Sequence, residues 1–281
     1  MRCDRRLRIA GLAFVALTSC EPAPISDDDV AYDPATAIPD CRPNNDGVID
    51  GTELPVVVGA TARVRIGQDI AFDVDGEADD GGTIVWDLTR PDPEAQPVGA
   101  LSLVPMEGQY FQALFPEADV AAPLVPGGAL VGPLRIDDDG WRLLGGVSLD
   151  NDPPEGQTRI VYDTPTTLYP LPLRLGSAVS STSRAQNALI LGVPTALVDV
   201  TELEVVRQGR VILPDLILDN TLQVRVRFRR TLLAGDVKQI SYLFVHECLG
   251  EVARFVSDAV PIDDDLDETL PLAKEVWRVS L

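Results

Sequence analysis

Apolar residues in this chain recur at every second position, and that period limits the fold more than any other feature. Val64, Ile66, Ile70, Phe72 and Val74 share one parity, with Arg63, Arg65, Asp69 and Asp73 on the other. Leu222, Val224, Val226 and Phe228 alternate with Gln223, Arg225, Arg227 and Arg229, and Thr201, Leu203 and Val205 alternate with Glu202 and Glu204. Side chains two apart share one face of a strand, so this spacing predicts half-buried β-strands. Tyr242 to Cys248 is nearly continuous in apolar residues, which fits a strand buried on both faces. Residues 274–281 form a last strand, with Trp277, Val279 and Leu281 on one side. The chain has 23 prolines and 22 glycines, which interrupt it before a helical stripe of useful length can form. The turn GEADDGG at 76–82 separates the 64–74 alternation from Ile84, Trp86 and Leu88, predicting a β-hairpin there. DDDG at 137–140 is a second turn, between Leu134–Ile136 and Trp141–Leu144. The expected fold over 55–281 is all-β: a large antiparallel curved sheet, half-barrel or sandwich, with few helices. The DNDPPEG break at 150–156 is the candidate divide between two lobes. Leu222, Val224, Val226, Phe228, Tyr242 and Phe244 are expected to line one core or apolar cleft.

The N-terminus reads differently. Arg2, Arg5, Arg6 and Arg8 precede an uncharged run from Ile9 to Leu17, and Leu17-Thr18-Ser19-Cys20 follows. A basic start, a short apolar run and small residues before a cleavage point make a secretory signal, here residues 1–19. The apolar run is too short for a spanning helix, which needs about 20 residues. Leu-small-small-Cys resembles the lipobox of bacterial lipoproteins. The resemblance implies lipid on Cys20 and a bacterial cell-envelope location, anchored to a membrane. In such proteins an Asp after the cysteine favours the inner membrane. Glu21 stands there instead, so the outer membrane is expected. Residues 20–39 are acidic and proline-rich, and read as a tether.

Loss of residues 1–19 removes four arginines and one aspartate from 23 basic and 44 acidic residues, leaving a formal charge of −24. Such a surface repels phosphates, so no nucleic-acid partner is expected. With 45% hydrophobic residues the chain can bury a core. Of four cysteines, Cys3 leaves with the signal and Cys20 is taken by lipid. Cys41 and Cys248 remain in an oxidising compartment, which predicts a disulfide between them; two separate buried thiols are the alternative.

Within residues 40–54, Asn44 to Glu53 resembles the latter part of an EF-hand calcium loop. Asn44, Asp46, Val48, Asp50 and Glu53 take the ligand positions, and Gly47 the invariant glycine. Arg42 occupies the first ligand position, where the pattern wants Asp, so tight calcium binding is not expected and no cofactor is required. An Asn/Asp/Gly turn pinned by Cys41 explains the same residues. Asp73, Asp75, Glu77, Asp79 and Asp80 form another acidic group, of the kind that hairpin turns collect. The single histidine, His246, lies in HECLG, which lacks the second histidine of H-E-x-x-H. Arg225, Arg227 and Arg229 form one basic stripe. It either pairs with cross-strand carboxylates such as Glu202 and Glu204 or receives an anionic ligand.

Residues 130–175, LVGPLRIDDDGWRLLGGVSLD…RIVYDTPTTLYPLPLRLG, and the run YLFVHECLGEV at 242–252 resemble bacterial lipoproteins with a YDPP…FPL…G-type segment and a terminal F-x-x-x-x-G-x-V hairpin. Ser177-Ala178-Val179-Ser180 stands where those proteins often have a tryptophan. The resemblance implies a curved sheet similar to the half-barrel of lipoprotein-localisation factors, and it carries no catalytic residues. The expected function is therefore that of a non-catalytic, lipid-anchored envelope protein. It would bind an apolar or lipid-like ligand or scaffold an assembly of envelope proteins. An envelope-polymer hydrolase and a calcium-stabilised surface adhesion module are the alternatives.

Overall fold

The computed structural model describes residue 41 and residues 43–54, 56–90, 96–125, 127–233 and 235–280. The signal, Cys20, the tether and Arg42 lie outside the described residues. The chain is built of strands: β1 (Val48–Ile49), β2 (Thr61–Ala71), β3 (Glu77–Ala78), β4 (Ile84–Asp87), β5 (Val98–Ser102), β6 (Val104–Pro105), β7 (Val120–Pro123), β8 (Leu130–Asp137) and β9 (Gly140–Ser148). The second half adds β10 (Arg159–Pro170), β11 (Leu173–Arg174), β12 (Ala178–Ile190), β13 (Val193–Ile212), β14 (Ile217–Leu232), β15 (Val237–His246), β16 (Gly250–Val256), β17 (Val260–Pro261) and β18 (Leu272–Val279). A three-residue 3-10 turn at Gln112–Leu114 is the only helical element among the described residues.

Sixteen strands form one sheet, whose main path runs β5-β2-β18-β16-β15-β14-β13-β12-β10-β9-β8-β7-β6. Only Leu103 separates β5 from β6 in the chain, so the two ends of the path are tied together and the sheet curls into a nearly closed ring. Curling in this way hides edge N–H and C=O groups that would otherwise pair with another chain. Pairing between the named strands is antiparallel except that β4 runs parallel to β13, and one isolated parallel bridge joins Val58 and Leu103. The 150–156 break joins β9 to β10, which are hydrogen-bonded neighbours, so the sheet passes through it without interruption.

The hairpin expected between 64–74 and 84–88 does not form. β2 pairs with β18 and β5, and the 76–82 turn closes only the short β3–β4 pair. β4 instead continues the β13 edge that β12 leaves: β12 covers 193–204, and β4 covers Gly209 to Ile212. Alternation specifies which face is buried, but it does not name the partner strand. Here the aromatic core chose: Trp86 of β4 is buried with Phe72 and Val74 from the connection after β2, although β4 and β2 do not pair.

Two cores lie on opposite faces of the central strands. One holds Phe72, Trp86, Ile240, Tyr242, Phe244 and Phe255, with Phe72 stacked on Phe255 at 3.8 Å between ring centroids. The other holds Leu203, Val205, Leu222, Val224, Leu243 and Val245. This corrects the single cleft expected from Leu222, Val224, Val226, Phe228, Tyr242 and Phe244. Leu222 pairs with Val245 and Val224 with Leu243, so even positions of β14 share a face with odd positions of β15. The 233–236 turn sets that register, and a shift of one residue exchanges the faces. β15 is thus buried on both sides, as its apolar run implied.

Candidate functional site

Cys41 and Cys248 are bonded, with their Cα atoms 5.5 Å apart and 207 positions between them in sequence. The bond fixes the start of the 44–53 loop against the β15–β16 turn. The Cys248 N–H donates to Glu53 O at 2.7 Å, and the Asn45 N–H donates to Glu247 Oε2 at 2.8 Å. Asn220 Nδ2 donates to Asn45 O at 3.0 Å, and β1 pairs with β11. Ile49 and Leu54 are buried in the second core. Gly47 has φ +78°, a conformation that side chains rarely adopt without strain, with the Gln208 amide lying against it. The loop is therefore a fixed part of the fold.

Its polar side chains serve the backbone first. Asn44 Oδ1 accepts from the Asp46 N–H, Asp46 Oδ1 from the Val48 N–H, and Asp50 Oδ1 from the Thr52 N–H and hydroxyl. Asx turns of this kind are what Asn, Asp and Gly build unaided. Glu53 differs: it is 6% exposed, and its Oε2 accepts from the Asp50 N–H at 3.1 Å. Burial pushes its carboxyl up from the usual range, and the charges of Glu247, Asp50 and Asp46 push the same way. Among the described residues, no three His, Cys, Asp or Glu side chains are gathered as a group that could hold a metal ion.

The basic stripe is largely occupied. Arg225 donates to Glu204 at 2.5 Å and to Glu268 at 3.4 Å. Arg227 makes a two-pronged contact with Glu268 at 2.6 Å on each arm. Glu204 is the cross-strand partner foreseen for the stripe. Glu202 faces Arg227 in register, yet Glu268 from the loop before β18 takes the hydrogen bonds. Arg229 is exposed. Beside this stripe a polar cleft of about 410 Å³ is bordered by Glu204, Arg207, Arg225 and Tyr242. Arg207 is itself tied to Asp75. An anion entering this cleft would have to displace carboxylates already in place.

His246 is 6% exposed, with Nδ1 2.5 Å from Glu247 O. Burial lowers its pKa, so it is neutral at pH 7. No Ser or Thr hydroxyl bonds to it among the described residues.

A second cleft, of about 210 Å³, is apolar. Leu124, Leu130, Leu143, Ile160, Ile190 and Leu191 border it, drawn from β8, β9, β10, β12 and their connections. Gly132 makes room beside it, since a Cβ there would lie 2.4 Å from Leu143 Cδ1 and 2.9 Å from Leu124 Cδ2. Tyr162, Arg230 and Thr158 form its polar border, the Thr158 hydroxyl accepting from the Leu191 N–H at 3.2 Å. Arg230 clasps Asp199 through Nε at 2.8 Å and Nη2 at 2.7 Å, and the Tyr162 hydroxyl donates to the same carboxylate at 2.5 Å. Asp199 is 1% exposed. Burial, then the charge of Asp199, holds the Tyr162 hydroxyl protonated far above the ordinary tyrosine range. The arrangement presents an apolar slot with a neutral tyrosine hydroxyl and a fixed cation at one border.

Sequence reasoning missed Tyr162, Asp199, Arg230 and the leucines of this cleft, because they come from strands that alternation cannot assign to one another. Glu247 was missed despite a usable signal, an acid inside an otherwise apolar run beside a half-cystine. The chain matches no family model, no curated protein and no solved structure.

Proposed function

We propose that this chain is a non-catalytic, lipid-anchored protein of the bacterial cell envelope, held on the outer membrane through Cys20, that binds the apolar part of a lipid-like ligand. The observation that carries the reading is the slot between Leu124, Leu143, Ile160 and Ile190, closed at one border by Tyr162 and Arg230. Apolar walls with a few placed polar groups are the usual form of a small-molecule site. At about 210 Å³ the slot lies below the roughly 300–1,000 Å³ of drug-sized sites, so it suits one chain of an amphiphile rather than a whole lipid. The acidic surface argues against nucleic acid, and the carboxylates already bound to Arg225 and Arg227 argue against an anionic ligand on that stripe.

The test is lipid extraction and mass spectrometry of the protein purified from the envelope, together with displacement of a fluorescent fatty acid in vitro. Wild type is expected to carry or take up one single-chain amphiphile. Gly132→Val is expected to push Leu124 and Leu143 into the slot and to weaken uptake at least tenfold. Equal uptake by Gly132→Val, or no bound amphiphile in wild type, overturns the assignment. Absence of palmitate incorporation, or its survival in Cys20→Ala, overturns the anchor.

A further inference from the structure

Among the described residues that border the apolar slot, Arg230 alone carries a charge. That charge is already answered. Nε and Nη2 of Arg230 both donate to Asp199, which is 1% exposed. An anionic head drawn to Arg230 would compete with a buried carboxylate held by three hydrogen bonds, and displacing it would leave Asp199 as an unpaired buried charge. A cationic head meets the same pair from the other side: Asp199 already holds a guanidinium, and Arg230 is a like charge. The pair cancels at the border, so a head that enters gains nothing by being charged and loses its hydration.

The hydroxyls at that border narrow the chemistry further. Tyr162 gives its proton to Asp199, so its oxygen can only accept a further bond. Burial and the charge of Asp199 keep that hydroxyl neutral. The Thr158 hydroxyl oxygen accepts from the Leu191 N–H, which leaves its own proton for an acceptor. One acceptor beside one donor suits a hydroxyl, which both gives and receives. A carboxylate only accepts, and a quaternary ammonium does neither. On the reading of this slot as an amphiphile site, on which the inference rests, we propose that its ligand is an uncharged single-chain amphiphile with a hydroxyl in its head, of the fatty-alcohol or monoacylglycerol class. Fatty acids and cationic lipids are the chemistries it discriminates against.

The experiment is titration of the purified protein with decanol, sodium decanoate and decyltrimethylammonium bromide, which share one chain and differ in head charge. It is run at about pH 8, where a carboxylic acid is ionised. Sodium chloride at about 0.5 M shortens the screening length to about 4 Å, which removes the pull and push of the acidic surface. Gly132→Val and Leu124→Trp, the second at a partly exposed position, each fill the slot, and binding that either abolishes is slot binding. Decanol is expected to bind there at least tenfold more tightly than either charged amphiphile. Asp199→Asn, which uncovers the charge of Arg230, is expected to strengthen decanoate at least tenfold and to leave decanol unchanged. Slot binding of decanoate or decyltrimethylammonium as tight as that of decanol overturns the proposal and leaves the slot an amphiphile site. Absence of slot binding by all three overturns both. A folded Asp199→Asn variant with wild-type affinity for decanoate also overturns the proposal, and the comparison of the three amphiphiles on wild type decides it alone if that variant does not fold.

Discussion

At the scale of single residues, the informative positions are charges placed where water does not reach. Asp199 receives three hydrogen bonds, two from Arg230 and one from Tyr162. Removing one partner of a buried pair leaves the other charge uncompensated, which costs about 3–5 kcal/mol. Asp199→Ala is therefore expected to lower stability by about that amount in urea unfolding, whereas Tyr162→Phe, which removes one donor of three, costs about 1 kcal/mol. Equal losses in the two variants would show that the pair contributes less than its burial implies. Arg225 belongs to a different class. Its guanidinium is partly open to solvent, and its contacts with Glu204 and Glu268 are of the exposed kind that contributes little each. The sequence makes the Arg225 pairing legible, because Glu204 and Arg225 sit on the polar positions of two alternating strands that carry opposite charges. It does not make Asp199 legible, since one aspartate in a strand reads as an outward-facing residue until its neighbours are known.

At the scale of elements, β13 organises the sheet. Over its 20 residues it pairs with β14 on one side, while β12 and then β4 share its other edge. The parallel β4 contact depends on Gly209, where a Cβ would meet Ile84 O at 2.2 Å and the Trp86 ring at 2.8 Å. Trp86 is 2% exposed and donates from Nε1 to Val74 O. Gly209→Val is expected to lift β4 from the edge, which a red shift in tryptophan emission and an early local transition in hydrogen exchange would report. Unchanged emission would mean that β4 is held by the aromatic core alone. Period-two spacing marked β2, β4, β13 and β14, the nearly continuous apolar run marked β15, and the DDDG turn marked the β8–β9 hairpin. What it could not give was partner and register. The face of Tyr242 depends on how many residues fill the 233–236 turn, and the place of β4 depends on a glycine more than 120 positions away.

At the scale of the whole molecule, closure is the governing property. β5 and β6 end the path and adjoin in the chain, while β18, near the C-terminus, fills the place between β16 and β2. The sheet is complete only when distant parts of the chain have met, a topology that folds slowly and rewards covalent help. The Cys41–Cys248 bond spans 207 positions, and the chain-entropy account assigns such a loop about 5 kcal/mol. Cys248→Ser is expected to lose about that much stability in urea without a change of fold by circular dichroism, and a loss below about 1 kcal/mol would place the constraint elsewhere. Beyond stability, the same bond decides how the protein bears load. A pull delivered along the residues before Cys41 does not reach β1 and β2 first, where strands would peel away one after another. It crosses the sulfur bridge into the turn between β15 and β16, inside the strand order rather than at its edge, so the load falls on ladders with neighbours on both sides.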